Sequence, residues 1–195
     1  MEVGTTVAST FRIDSFVVGA DGLITPAAGS PFPAQAAGPF GSEFSPANPA
    51  HLYVSNAHGG PGNGSVSAFN VTPRGTVSSI GSSPYPDGQT APCWVEISHD
   101  GRYLFTVNTG STTISSYGIT ADGSLTYVST SPFKSGPGIR PFDARLDLEG
   151  RWLYVVDAAT ATVSAFAVSG GSLTELAQSP IALPGGATPF GIVAN

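Results

Sequence analysis

Charged and aromatic residues recur at fixed distances from a repeated proline, and their types could support acid–base chemistry. The positions two and four residues after Pro39, Pro92, Pro141 and Pro189 hold, in order, Gly41 and Glu43, Trp94 and Glu96, Asp143 and Arg145, and Gly191 and Val193. Alternate residues of a β-strand point to one face. If that face lines a narrow, partly dry channel, its charged groups could bind a polar ligand or acquire shifted pKa values.

We therefore treat five residues as candidate ligand-binding residues: Glu43, Trp94, Glu96, Asp143 and Arg145. Three of them, Glu96, Arg145 and Asp143, are also candidate catalytic residues because their side chains can exchange protons or stabilise charge. The competing interpretation is that these side chains are solvated or paired channel residues with structural roles only.

The three histidines and the single cysteine offer fewer options. His58 lies in a glycine-rich loop near the end of a predicted strand, and it joins the candidate catalytic residues because it alone has plausible access to a binding face. His99 is interpreted as a solvated turn residue, and His51 opens a predicted second strand without a partner in the sequence. Cys93 is interpreted as a small buried hydrophobe. The chain shows neither the histidine spacing of a metal site nor an acidic calcium loop, so we expect no metal and no cofactor.

The stretch that contains Trp94 and Glu96 predicts a β-hairpin. Residues 92–108, PCWVEISHDGRYLFTVN, read as a strand, a tight turn and a second, apolar strand. Asp100-Gly101 lies between the two β-rich runs, and glycine accepts the positive φ that such a turn requires. Related sequences recur at residues 39–56 and 141–157, and the start of one recurs at residues 189–195. The hairpin is thus part of a repeat.

Each complete hairpin is followed by two more predicted strands. Third strands are predicted at residues 66–71, 114–119 and 163–168, glycine-bearing turns (Gly123 in the middle unit) lead to fourth strands, and Ser-Pro pairs end the units. A period of roughly 50 residues with four short strands per unit is typical of a β-propeller. We predict a single all-β domain, a β-propeller of four-stranded antiparallel blades. Its repeats span about 1–38, 39–91, 92–140 and 141–188, with a closing strand at 189–195.

The first unit is incomplete. Residues 13–18 match a third strand and residues 23–24 a fourth, whereas the second strand is missing or vestigial around residues 2–10. A closing strand at 189–195 would complete this blade and cover its edge. Two arrangements remain open. We favour an open arc that pairs with a second copy through exposed blade faces, over a closed ring of about four blades.

Composition argues against several classes of partner. The 195-residue chain has a formal net charge of −6, and its seven Lys and Arg do not cluster, so we expect no nucleic acid. No apolar run approaches the length needed to cross a bilayer, so we expect no membrane partner. We expect no signal peptide after Met1. The chain as given is expected in the cytoplasm, or outside the cell if a preceding half carries a signal.

The repeated pattern resembles the lactonase family of β-propellers, which includes bacterial 6-phosphogluconolactonases and fungal carboxymuconate cyclases. The resemblance is carried by the hairpin at residues 92–108, by VSAF at residues 66–69 and 163–166, and by DGSLT at residues 122–126. It implies a seven-bladed fold, of which this chain matches the C-terminal half. It also implies hydrolysis of a sugar-type lactone or the related carboxymuconate cyclo-isomerisation.

The chain departs from the family motif at the positions that carry its chemistry. The resemblance implies a His two residues after the strand-opening proline and a Glu directly after the Val-Asn that ends the second strand. Those positions hold Gly41, Trp94, Asp143 and Gly191, and Ala57, Thr109 and Ala158. The alternative function is therefore an inactive binding or scaffold propeller that engages a small ligand or a protein partner. A truncated or split gene product is a third possibility.

Overall fold

The computed structural model describes residues 11–185 and 187–194, and within them it contains β-strands but no helix. Accordingly, this part of the chain has no helix with the length and apolar character needed to cross a membrane. Antiparallel sheets follow one another along the chain, each built from neighbouring strands in sequence. The predicted all-β propeller architecture is confirmed.

The first unit forms two short ladders, which together we call the half-blade. Its strands are β1 (Arg12–Ile13), β2 (Phe16–Val18), β3 (Ile24–Pro26) and β4 (Phe32–Pro33). β1 pairs with β4, and β2 pairs with β3. These correspond to the third and fourth strands of a blade, as the sequence repeat predicts.

Three complete blades follow. The first blade contains β5 (Pro39–Phe44), β6 (His51–Asn56), β7 (Ser65–Val71), β8 (Val77–Ser79) and β9 (Tyr85–Pro86). The second contains β10 (Pro92–Ile97), β11 (Tyr103–Asn108), β12 (Thr113–Ile119) and β13 (Leu125–Pro132). The third contains β14 (Pro141–Leu146), β15 (Trp152–Asp157), β16 (Thr162–Ser169), β17 (Ser172–Glu175) and β18 (Ile181–Ala182). Within each blade the strands pair in sequence order, and β9 and β18 pair with β7 and β16.

The fourth strand is interrupted in the half-blade, the first blade and the third blade, and there a serine of a Ser-Pro pair completes the ladder. The hydroxyl oxygens of Ser30, Ser83 and Ser179 accept hydrogen bonds from the backbone N–H groups of Ser15, Ala68 and Ala165, respectively. Each hydroxyl thus satisfies a third-strand donor that the broken fourth strand does not. In the second blade, β13 runs without interruption.

Apolar side chains fill the spaces between neighbouring sheets, because a small sheet cannot cover its own faces. Examples are Ile13, Leu52 and Val54 between the half-blade and the first blade, Tyr53, Val95 and Leu104 between the first and second blades, and Phe105, Leu153 and Phe166 between the second and third blades. Cys93 is buried with Ala57, Phe142 and Val156. This location fits its interpretation as a buried hydrophobe.

The closing strand predicted at residues 189–195 does not form in the part that the structure describes. Residues 187–194 belong to no sheet. Instead, the Ile192 N–H donates to Asp143 Oδ2 at 2.9 Å, and Phe190 packs on Phe142 with ring centroids 4.6 Å apart. A strand needs a neighbour to take up its backbone hydrogen bonds. The half-blade offers no inner strand between residues 11 and 38, and the vestigial strand predicted at residues 2–10 lies outside the described residues.

Two hairpin glycines adopt the turn conformation that the sequence predicts. Gly101, between β10 and β11, has φ +70°, and Gly123, between β12 and β13, has φ +86°. Side chains other than glycine resist such positive φ values. These turns fix the register in which the inner strands present their side chains.

Candidate functional site

The first strands of the three complete blades, β5, β10 and β14, are neighbours and carry the candidate residues. Each has a β-bulge just after its opening proline, between Pro39 and Ser42, between Pro92 and Trp94, and between Pro141 and Ala144. A bulge bends the strand and redirects its side chains. Beyond the bulge, the residues four positions after each proline converge, and these are Glu43, Glu96 and Arg145.

Arg145 is the centre of this convergence. Its Nη1 lies 2.8 Å from Glu96 Oε2 and 3.8 Å from Glu43 Oε1, so one guanidinium from the third blade reaches the second and the first. Glu96 is almost fully buried, and its other oxygen accepts the Leu146 N–H at 3.0 Å. Because both Glu96 oxygens are engaged, Glu96 holds Arg145 in place, and the half-exposed Arg145 side chain is left accessible from the cavity.

Glu43 has the most strongly perturbed carboxyl group of the site. Burial, followed by the nearby charge of Glu96, raises the pKa of Glu43 to about 8, although the Arg145 guanidinium acts in the opposite direction. Within the described residues Glu43 Oε2 is buried without a hydrogen-bond partner. Burial also raises the pKa of Glu96, but the Leu146 N–H and Arg145 oppose that rise. Burial thus raises the pKa of both neighbouring carboxyl groups.

An open cavity of about 270 Å³ adjoins Glu43 and Arg145. Its walls are formed by Phe40, Gly41, Ser42, Glu43, Trp94, Val95 and Arg145. Phe40 and Trp94 meet edge to face with ring centroids 6.0 Å apart, which gives the cavity an aromatic side. The cavity thus combines an apolar wall with an acid and a guanidinium, as small-molecule sites commonly do.

Gly41 and Ser55 set the spacing of the inner strands beside this cavity. A Cβ on Gly41 would overlap the backbone carbonyl of Cys93 in the neighbouring blade, so only glycine permits the approach. Ser55 Oγ accepts the Gly41 N–H at 3.0 Å and donates to the Cys93 carbonyl at 2.7 Å. Sequence analysis did not identify Ser55. Its only sequence signal is its position just before the Asn that ends the second strand.

Asp143 lies near the site, but its carboxylate is directed differently. Its Oδ2 accepts the Ile192 N–H from the C-terminal segment, and its buried Oδ1 has no partner within the described residues. Burial raises the pKa of Asp143. Asp143 is still close enough for its charge to raise the pKa values of both Glu43 and Glu96. It therefore belongs to the electrostatic surroundings of the site and is not among the residues that line the cavity.

Comparison with known proteins identifies the family. The model of the family described as "Lactonase, 7-bladed beta-propeller" matches residues 43–190, which is most of the chain. The chain belongs to the lactonase family of seven-bladed β-propellers. The matched region contains Glu43, Trp94, Glu96 and Arg145. No curated protein matches the sequence.

Solved structures similar to this lactonase-family chain share its fold at low sequence identity. A putative 6-phosphogluconolactonase from Bacteroides uniformis has a TM-score of 0.76 and 14% identity over 96% of this chain and 55% of its own. The periplasmic gluconolactonase of Pseudomonas aeruginosa has a TM-score of 0.70 and 24% identity over 90% of this chain and 51% of its own. A protein from Lactobacillus plantarum has a TM-score of 0.68 and 21% identity over 88% of this chain and 51% of its own. The chain thus spans about half the length of these structures.

The structure does not bring the histidines into the candidate site. His58 is exposed in the loop after β6, where its ring packs against Gly38, and it is not among the residues lining the cavity. His51 Nε2 lies 3.0 Å from Asn48 Nδ2, and His99 lies in the turn after β10, beside Gly150. Across residues 11–185 and 187–194, no group of three or more His, Cys, Asp or Glu side chains could hold a metal ion.

A second repeated polar position was missed by sequence analysis. Asn56, Asn108 and Asp157 end the second strands of the three complete blades, and all three are buried. Each bonds two hydroxyl groups on the third strand of its own blade, as Asp157 does with Thr162 and Ser164. Burial raises the pKa of Asp157 to about 6. The Asn/Asp at the end of each second strand was visible in the sequence, but its burial was not.

Proposed function

We propose that the inner-strand cavity binds a small sugar-type lactone and hydrolyses it, with Glu43 transferring the proton and Arg145 stabilising negative charge. One observation carries the proposal: a buried carboxyl group with a pKa of about 8 lies beside a guanidinium at an open cavity with an aromatic wall. A group that titrates near the working pH suits general acid–base catalysis. Family membership supports the substrate class, as do the titles of two similar structures, a putative 6-phosphogluconolactonase and a periplasmic gluconolactonase.

Lactone hydrolysis requires water to add to the carbonyl carbon and the ring C–O bond to break. In the proposed mechanism the Glu43 carboxylate accepts a proton from the attacking water. It then returns that proton to the ring oxygen as this oxygen leaves, so the product is an open-chain hydroxy acid and Glu43 is regenerated. The Arg145 guanidinium stabilises the negative charge that develops on the carbonyl oxygen.

The other residues of the cavity bind and position. Trp94 and Phe40 offer an apolar surface for one face of a sugar ring, while its hydroxyl groups remain accessible to the polar side of the cavity. Glu96 acts as a positioning residue, because it engages Arg145 without lining the cavity. Replacing Glu96 should therefore alter catalysis through the orientation of Arg145.

The proposal is tested by assaying purified protein on glucono-1,5-lactone, 6-phosphogluconolactone and carboxymuconolactone, with spontaneous hydrolysis subtracted. We expect kcat/KM for the preferred lactone to rise with pH and level off above about 8, because Glu43 must be ionised to accept the proton. Glu43→Gln should lower kcat about 100-fold or more and abolish this pH dependence. The matched control is Glu149→Gln, at an exposed carboxyl in the turn after β14. This variant should leave kcat and the pH dependence unchanged.

Two outcomes would contradict a catalytic role for Glu43. One is a wild-type protein that does not hydrolyse any of the three lactones. The other is a Glu43→Gln variant with unaltered kcat and pH profile.

A binding function without turnover is the second candidate, and the family motif favours it. The positions at which the lactonising members carry His and Glu hold other residues here, and the chain spans about half of its structural relatives. Titration calorimetry with a gluconolactam, which resists hydrolysis, separates the two candidates. Binding that Arg145→Met abolishes, in a protein with no lactonase activity, would support the binding function. Binding together with turnover would support the enzyme.

A further inference from the structure

Ser55 differs from the residues at the same position of the other complete blades. It directly precedes the residue that ends β6, and the residues directly before the ends of β11 and β15 are Val107 and Val156. All three side chains are buried. A buried hydroxyl group at a position that is apolar in two other blades needs a hydrogen-bond partner. The partners of Ser55 lie beside the inner-strand cavity.

These partners are backbone groups that β-bulges leave outside the ladders of two inner strands. The register of β5 skips Gly41, and the register of β10 skips Cys93. A residue inside a bulge is left unpaired in its ladder. Ser55 Oγ accepts the Gly41 N–H at 3.0 Å and donates to the Cys93 carbonyl at 2.7 Å. One hydroxyl group thus joins the bulge of the first blade to the bulge of the second.

The aromatic side of the cavity extends from these two bulges. Phe40 directly precedes Gly41, and Trp94 directly follows Cys93. The two rings meet edge to face with centroids 6.0 Å apart. A Cβ on Gly41 would lie 2.8 Å from Trp94 Cα, so the two strands touch through their backbones. Ser55 therefore joins the two backbone positions from which the aromatic rings project.

Other contacts hold the charged side of the cavity. Glu96 accepts hydrogen bonds from Arg145 Nη1 at 2.8 Å and from the Leu146 N–H at 3.0 Å. Glu43 lies beyond the bulge, in the regular part of β5. Across the described residues, the hydrogen bonds of Ser55 Oγ all go to backbone groups of the two bulges. The aromatic side and the charged side are therefore positioned separately.

We propose that Ser55 is a specificity-determining residue, which holds the wall of Phe40 and Trp94 so that the cavity favours a ring over an open chain. This inference rests on the proposed function, because it takes a sugar-type lactone as the ligand. One face of a lactone ring presents C–H groups, and an aromatic wall binds such a face. The open-chain hydroxy acid that hydrolysis produces has no such face, and its carboxylate would pair with Arg145. Ser55 thus acts on binding of the ring and not on proton transfer by Glu43.

Titration calorimetry with gluconolactam and with gluconate tests this role. Ser55→Val introduces the residue of the other two blades and should weaken gluconolactam binding about tenfold, the size of one aromatic contact. Gluconate binding should stay within about twofold, because Arg145 is held by Glu96. Ser55→Thr keeps the hydroxyl group and should bind both compounds as the wild type does. If turnover is present, Ser55→Val should raise KM for the lactone with kcat nearly unchanged.

Ser131→Val is the matched control. Ser131 is also buried, and its hydroxyl donates to a carbonyl of the neighbouring blade, that of Leu173, at 3.2 Å. It is not among the residues that line the cavity. The variant should therefore leave the affinities for gluconolactam and gluconate unchanged.

Tryptophan fluorescence measures the position of the aromatic wall without any ligand. Trp94 and Trp152 are the two tryptophans of the chain, so Trp94 is observed alone in a Trp152→Phe background. In that background, Ser55→Val should increase quenching of Trp94 by acrylamide, and Ser131→Val should not. Ser55→Ala removes the hydroxyl group without adding a methyl group, and it replaces Ser55→Val if that variant does not fold.

Three outcomes would overturn the proposal: unchanged gluconolactam binding in Ser55→Val, an equal loss of affinity for gluconolactam and gluconate, or unchanged quenching of Trp94. A wild type that neither binds gluconolactam nor hydrolyses a lactone would instead refute the proposed function. The quenching comparison then still decides whether Ser55 positions Trp94.

Discussion

Two sets of polar side chains occupy repeated positions in this propeller, and they bond in different directions. The strand-end set, Asn56, Asn108 and Asp157, bonds hydroxyl groups within its own blades. The site set, Glu43, Glu96 and Arg145, bonds across blades, from the third to the second and the first. Both sets recur with the period of the repeat. Only the strand-end set keeps nearly the same residue type in every blade.

The difference indicates how a repeat protein separates stability from chemistry. A position that serves its own blade meets the same surroundings in every unit, so one residue type suits all of them. A position that reaches into neighbouring blades meets unlike partners, so a carboxylate in one blade can face a guanidinium in another. Repeated positions whose residue type changes from blade to blade therefore mark the candidate site. Repeated positions that keep their residue type mark the structural framework.

The largest loss of stability is expected from Glu96→Ala, in the set that bonds across blades. The change leaves the buried Leu146 N–H without an acceptor and Arg145 without its closest partner. An unsatisfied buried donor and a broken, partly buried ion pair together should lower the free energy of unfolding by about 3 kcal/mol. Urea unfolding at pH 7 measures it. Glu149→Ala, which removes only an exposed carboxylate, should have almost no effect. Equal losses in the two variants would contradict the role given to Glu96.

Asp157→Asn makes the third blade resemble the other two. The pKa of Asp157 is raised to about 6 in the folded protein, so the unfolded chain loses this proton at lower pH than the folded one. Asp157 therefore makes the wild type less stable as pH rises from about 4 to about 6, and that loss persists above pH 6. A rise from 3.8 to about 6 corresponds to about 3 kcal/mol. Rearrangement of the two hydroxyl bonds offsets part of this stability difference.

The Asp157→Asn variant should be about 2 kcal/mol more stable than the wild type at pH 7 and nearly as stable as the wild type at pH 4. Unfolding of both proteins across this range tests the prediction, and a difference independent of pH would refute it.

The reciprocal change, Asn108→Asp, should make the second blade behave like the third. Ser115 donates its hydroxyl hydrogen to Asp87, so it cannot also donate to a carboxylate at position 108. We expect a loss of about 2 kcal/mol at pH 7 that shrinks as the pH is lowered, since burial without a donor favours the protonated acid. The same unfolding series provides the measurement. A stabilised variant would show that the strand-end set is not equivalent from blade to blade.

The smallest loss of stability is expected at the turn between β10 and β11, the strands that carry Glu96 and Asn108. Valine at Gly101 must adopt φ near +70°, and its Cβ would overlap the Ala47 side chain, so Gly101→Val should cost about 1 kcal/mol or more. Gly123→Val should behave similarly. Gly185→Val is the control, because a Cβ at Gly185 meets no neighbouring atom. Melting temperatures unchanged in all three would contradict the hairpin register.

The sequence predicts local structure well because that structure depends on neighbours in the chain. Asp100-Gly101 indicates the turn, and the period indicates that Ile13 and Val66 occupy matching strands. The equal offsets of Glu43, Glu96 and Arg145 from their prolines are likewise visible. The ion pairs that these residues form depend on bulges and on the spacing of blades, which no local pattern specifies. The closing strand at residues 189–195 stays a prediction, because a strand depends on a partner elsewhere in space and the described residues 187–194 join no sheet.

The serine hydroxyls that bridge the broken fourth strands have a consequence for behaviour at high concentration. Outermost strands carry unpaired backbone groups and can template aggregation, and short or broken edges reduce that hazard. The first and third blades end in such broken edges, β8 with β9 and β17 with β18. The second blade ends in the continuous eight-residue β13, with Tyr127 and Val128 exposed. Sheet-to-sheet aggregation of this protein should therefore start at β13.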